Sequence, residues 1–262
     1  MTAFEVVTGR VVNPGGTLTA VTANTSSTFT VRDFPDTAQC YMEEFWAQQA
    51  TAGEIRVRSP RLHDSTNGLR YQVPAAVIRS VLGDEVRQRL YSNDPLTVEQ
   101  SGGGAETDTV AMLVTYSELS GITQNLQTWD AVAPRIVDHM GHVVQVTGPT
   151  TAGDWSAGNA LNSFSAQAKA DTTYALLGYT TATAALAVAI VGSDTGNLRV
   201  GGPGPLEPLE TADWFIRLSR KTGQPYIPII KANNFASTLV QVCRATSGGT
   251  DNVSLTLARL SA

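Results

Sequence analysis

Charge is scarce in this chain: only 16% of its 262 residues are Asp, Glu, Lys or Arg, against about a quarter in an ordinary soluble protein. Much of the surface must then be uncharged, which suits a protein that covers itself with neighbours. The formal net charge is −5, whereas a grip on phosphate needs Lys and Arg gathered on one face. The short basic run Arg56, Arg58, Arg61 reads as a solvated strand face, so no sequence-specific nucleic-acid partner is expected. Cysteine is nearly absent. Cys40 and Cys243 are too far apart for a disulfide framework or a Cys-based zinc spacing, and both read as small core residues. No uninterrupted apolar stretch reaches the length of about 18 residues that a spanning helix needs. The opening MTAFEVVTGRVVNPGG has no basic segment ahead of an apolar run, so neither a membrane-spanning protein nor a Sec-exported precursor is expected.

What the chain does contain is a 42% share of hydrophobic residues, enough for a real core, and abundant Thr, Val, Ser and Gly. Strand signals dominate. GEIRVRSP alternates Ile55 and Val57 with Arg56 and Arg58, and NVSLTLARL alternates Val253, Leu255 and Leu257 with Ser254, Thr256 and Ala258, a period of two that puts one face in and one face out. Pro and Gly punctuate at short intervals, as in a sandwich or barrel of many short strands. Two segments break the pattern. PAAVIRSVLGDEVRQRLY, Pro74 to Tyr91, spaces Val77, Val81 and Leu82 as a helix with Pro in its first turn. TADWFIRLSRKTG, Thr211 to Gly223, offers Thr211 as N-cap and Gly223 as the stop.

The chain also says nearly the same thing twice. YMEEFWAQQATAGEIRV from Tyr41 lies on YALLGYTTATAALAVAI from Tyr174, and the NGLR of Asn67 to Arg70 then meets the GNLR of Gly196 to Arg199. One of the two helical segments follows in each half. LTVEQSGGGAETDTVAMLVTYSEL from Leu96 next matches LVQVCRATSGGTDNVSLTLARL from Leu239: a strand, a Ser-Gly-Gly turn, a polar Thr/Asp step and a closing strand. Each match alone is ordinary turn chemistry; their shared order predicts an all-β chain of two tandem β-sandwiches, residues 1–125 and 126–262, each with a short inserted helix.

Two tandem eight-stranded sandwiches with a helix before each last hairpin resemble the double jelly-roll major capsid proteins of tailless icosahedral viruses, some of which infect bacteria. The resemblance is one of organisation and covers nearly the whole chain. It implies two jelly rolls, a non-enzymatic structural role in the virion, homotrimers that form pseudo-hexagonal capsomers, contacts with neighbouring capsomers and other virion proteins, and assembly in the host cytoplasm. Several members enclose a membrane beneath the shell. The family has no catalytic site to transfer. The tails before Val6 and after Leu257 are candidates for tying capsomers together.

Individual residues offer sharper readings, each set against a plain one. His139 and His142 in DHMGH have the spacing of two ligands on a helical turn, but a zinc site needs more, and a polar linker is the preferred reading; no metal or cofactor is expected. His63 belongs to a loop. Glu43 and Glu44 with Asp33 and Asp36 are the carboxylates a glycosidase would require, read here as an exposed acidic face. GGPGP, Gly201 to Pro205, reads as a rigid turn, since phosphate-binding and hydrolase motifs are missing from the chain. Trp214 reads as helix-to-sheet core, while Trp129 and Trp155 flank the expected seam. The triplets at Asn24 and Asn252 fit glycosylation acceptors without a secretory route to use them. Rival functions are a capsid decoration or minor vertex protein, and a tandem carbohydrate- or receptor-binding module that meets sugar through exposed aromatics.

Overall fold

The computed structural model describes residues 3–23, 31–62, 67–75, 79–80, 87–161, 168–181, 185–204 and 211–261. His63 and the Asn24 triplet lie outside them. The first half contains β1 (Ala3–Val12), β2 (Thr19–Ala20), β3 (Thr22–Ala23), β4 (Cys40–Gln48), β5 (Gly53–Arg58), β6 (Leu69–Val73), β7 (Arg79–Ser80), β8 (Gln88–Leu90), β9 (Thr97–Gln100) and β10 (Thr107–Tyr116). The second contains β11 (Leu126–Gln127), α1 (Trp129–Val132), β12 (Ile136–Thr147), β13 (Asn159–Ala160), β14 (Thr173–Thr181), β15 (Ala187–Val191), β16 (Val200–Pro203), α2 (Trp214–Thr222), β17 (Ile227–Lys231), β18 (Leu239–Cys243) and β19 (Thr250–Leu260).

These strands form four antiparallel sheets, and each sheet draws on one half of the chain alone. In the first lobe β3-β1-β10-β4-β7, with β8 beside β4, faces β2-β9-β5-β6; in the second, β11-β17-β14-β19-β12 faces β13-β18-β15-β16. The two lobes repeat one order. In each, the first long strand pairs with the last, which pairs with the strand that opens the repeated sequence (β1-β10-β4, β12-β19-β14), while the other sheet runs β2-β9-β5-β6 or β13-β18-β15-β16. Strands that cross between two sheets in this order make a jelly roll. Even the irregularities repeat: the ladder slips at Glu43 of β4, between Leu113 and Val114, and at Leu177 of β14, between Leu176 and Gly178. Each is a bulge, one extra residue opposite a single partner.

Expected alternation holds in β5, where Ile55 and Val57 are buried and Arg56 and Arg58 half-buried against Glu99. It fails in the large sheet of the first lobe. β10 is buried on both faces from Asp108 to Tyr116, and β1 from Ala3 to Gly9. One face packs inside the lobe with Met42, Phe45, Val110 and Met112. The other carries Phe4, Val6, Trp46 and Leu113 into the core of the second lobe.

Two further expectations are corrected. Within Pro74–Tyr91 the described residues include strands β7 and β8, which pair with β4, so no helix runs through Arg79–Ser80 or Gln88–Leu90; the rest of that segment lies outside the described residues. α2 does form, but its N-cap is Asp213, whose carboxylate meets Arg217 at 2.9 Å, while Thr211 is buried. Gly223 takes the left-handed conformation that ends the helix.

Candidate functional site

A closely packed region of polar and aromatic side chains lies at the seam between the lobes. It joins unlike surfaces: the outer face of β1, β10 and β4 on one side, and α2, the start of β17 and the edge of β16 on the other. Phe4 packs edge-on against Tyr226 with ring centroids 5.1 Å apart, and lies 6.4 Å from Phe215 of α2. Trp46 donates its indole N–H to the Leu186 carbonyl at 2.7 Å. Val6 donates its amide to the Arg199 carbonyl on the β16 edge at 2.8 Å. The connecting segment fastens both sides: the Gln124 side chain accepts from and donates to the backbone of Phe4, while the Asn125 amide donates to Asp194 and its carbonyl accepts from Ile229. Burial of each large apolar side chain here contributes roughly 1.5–3 kcal/mol.

Glu43 and Glu44, expected on an exposed face, are 3% and 9% exposed, and the correction has a physical cause. The bulge turns them toward the seam, where both lobes supply partners, the second through Tyr226 and Lys221. Glu43 accepts from the Thr115 hydroxyl at 3.0 Å and the Tyr226 hydroxyl at 3.1 Å, with Arg87 at 3.6 Å. Glu44 meets Lys221 of α2 at 3.2 Å. Burial, then the charge of Glu43, pushes the Tyr226 phenol well above its usual range. A cavity of about 320 Å³ opens beside Glu43, roofed by Arg87 stacked over Tyr41 at 3.6 Å. Asp33 and Asp36 are exposed residues outside the strands, and nothing brings them to this carboxylate pair. The grouping is that of fastened charges: each seam carboxylate has its partners already.

The remaining candidates separate. His139 and His142 lie on β12, where an odd spacing points them to opposite faces: His139 is exposed, and burial holds the His142 imidazole below its usual pKa. Among the described residues no three His, Cys, Asp or Glu side chains gather as a metal-ligand set. Gly201–Pro203 of the GGPGP segment is strand, not turn, paired with Ala187–Ala189. A Cβ on Gly201 would strike the Val188 carbonyl and one on Gly202 the Trp214 indole, so glycine is demanded by close packing. Trp214 donates to Gly201 at 3.2 Å. Trp129 and Trp155 lie under Arg220 and Arg199. Both cysteines are buried and free, and burial pushes the Cys243 thiol up to about 12.

Sequence reading missed one further pair. Each lobe places an Asp at the second position of its last strand, Asp108 and Asp251, and both are fully buried. Asp108 faces Glu106, and burial followed by that neighbouring charge pushes its carboxyl up to about 7. Asp251 lies 3.5 Å from Arg244 instead, and burial still raises it. The signal was the shared Thr/Asp step after each Ser-Gly-Gly turn.

The fold thus defines a protein of two tandem jelly-roll sandwiches fastened face to edge. No family model and no curated protein matches the sequence. Among solved structures, the PBSX exported protein XepA is similar over 97% of this chain and 86% of its own, at 10% identity and a TM-score of 0.30. The major capsid protein P2 from bacteriophage PM2 is similar over 100% of this chain and 98% of its own, at 9% identity and a TM-score of 0.25. These are distant likenesses.

Proposed function

We propose that this chain is a capsid subunit, a non-enzymatic structural protein of a virion that assembles as homotrimers, each presenting a pseudo-hexagonal outline to an icosahedral shell. One observation carries the reading. A single chain builds the same sandwich twice and joins the copies through unlike faces, and contact of that head-to-tail kind, repeated between chains, makes a ring where the rotation between copies closes. Scarce charge supports it, because charged residues are depleted in the cores of subunit contacts. In this reading its partners are other copies of itself and other virion proteins, and its place is the virion.

The test is the mass of the purified chain in solution, paired with electron cryo-microscopy. Trimers, hexagonal particles or closed shells are expected. Isolated two-lobed monomers under every condition, together with glycan affinity, would replace this reading with the carbohydrate-binding one. The tryptophans offer little to such a ligand: Trp46 and Trp155 are 1% and 4% exposed, and Trp129 and Trp214 are half-buried.

A further inference from the structure

The duplicated topology allows the seam to be mapped from one lobe onto the other. Leu113 pairs with Val6 and Glu44 in the first lobe, next to the bulge; Thr256 pairs with Gly141 and Gly178 at the same place in the second. Residue for residue, Phe4 then corresponds to His139, Val6 to Gly141, Thr8 to Val143 and Leu113 to Thr256. The first set is buried under the second lobe. On the second set His139, Gly141 and Val143 are exposed, Val143 at 58%. β12 is moreover the edge strand of its sheet. β1 turns the amides of Phe4 and Val6 away from β10, to Gln124 and to the β16 edge; strand geometry sends the amides of His139 and Gly141 to the same side of β12.

The part of the first lobe that matches the β16 edge is β6, the edge strand of its own sheet. The repeated NGLR and GNLR make Arg70 the counterpart of Arg199, and Arg70 is exposed. Each lobe thus has one surface that receives and one that inserts. Inside the chain only one of each is used.

We infer that the open face and edge of β12, around Gly141 and Val143, receive the β6 edge of the first lobe of a second copy, with the Arg70 carbonyl taking the place that the Arg199 carbonyl holds against Val6. The occupant is a second copy because this chain already contains the matching half, joined once in cis. The inference rests on the assembly reading above and gives it an address. The receiving faces differ in chemistry. Phe4, Val6, Trp46 and Leu113 put large apolar side chains on the inner seam, while His139, Gly141, Val143 and Thr256 give the outer one less apolar bulk, with Val143 its exposed apolar side chain.

The test uses the full chain. With Gly141→Cys and Arg70→Cys together, oxidation is expected to link one chain to the next, and neither single variant does so; the native thiols are buried. In parallel Val143→Glu, at an exposed position, is expected to keep the monomer's circular dichroism and melting midpoint while the oligomer's mass falls to that of one chain. An oligomer that forms without the cross-link and survives Val143→Glu overturns this interface and leaves the assembly reading standing. A cross-linked ring that never builds a shell upholds the interface and removes the capsid role. A wild-type chain that stays monomeric at every concentration overturns both.

Discussion

Asp108 is a residue whose surroundings oppose its charge. Its carboxyl is fully buried at the end of the first lobe, accepts a long contact of 3.4 Å from the Ala50 amide, and turns its other oxygen toward Glu106. Glu106 wins the competition for charge: burial works against it, yet the Gly103 amide and the Thr51 hydroxyl and amide hold it below the usual range. The folded chain therefore keeps a proton on Asp108 up to about 7, whereas the unfolded chain releases it near the ordinary value of about 4. More protons bound in the folded state means that stability falls as pH rises through that window and levels off above it. Asp108→Asn is expected to flatten this part of the profile and to be more stable than the natural chain above about pH 7. Urea midpoints measured across the window check it, and an unchanged slope would refute it.

At the scale of elements, β16 shows how a strand is dictated by its neighbours. Gly201→Ala forces a methyl into the Val188 carbonyl of β15 and is expected to cost about 1–3 kcal/mol, as overpacking does. Gly141→Ala, with open space at the same atom, is expected to change monomer stability by less than about 0.5 kcal/mol. Thermal melts of the two variants make the comparison. The same strand explains what the sequence could and could not disclose. NGLR and GNLR, YMEEFW and YALLGY, and the two Ser-Gly-Gly turns preserved their order, so the duplicated sandwich was legible. GGPGP was not legible as strand, because its glycines answer to an indole and a carbonyl that are distant in sequence. Nor was β8, since apolar spacing over Pro74–Tyr91 fits a helix while pairing with β4 decides otherwise. Glu43 and Glu44 looked solvated for the same reason: Tyr226 and Lys221 lie more than a hundred residues away.

At the scale of the whole molecule, the hydrophobic core does not stop where one lobe ends. Phe4, Val6, Trp46, Ala111 and Leu113 belong to the same buried cluster as the centre of the second lobe. The chain is therefore expected to unfold in one cooperative transition, with calorimetric and van't Hoff enthalpies equal, and Trp46→Ala, at a cost of about 3–5 kcal/mol, to lower that single midpoint. Two separate transitions would show that the seam is weaker than either sandwich.

The connecting segment that carries Gln124 and Asn125 has a consequence in terms of concentration. Because it tethers one lobe to the next, the apolar seam forms at an effective concentration set by a short span of chain, independent of how many molecules are present. In the interface proposed above, the counterpart on β12 has no tether and would answer to the number of copies in solution. Under that proposal tethering would divide the work by order: the tight contact would close as each chain folds, and the second would read abundance, joining chains only once enough of them had been made.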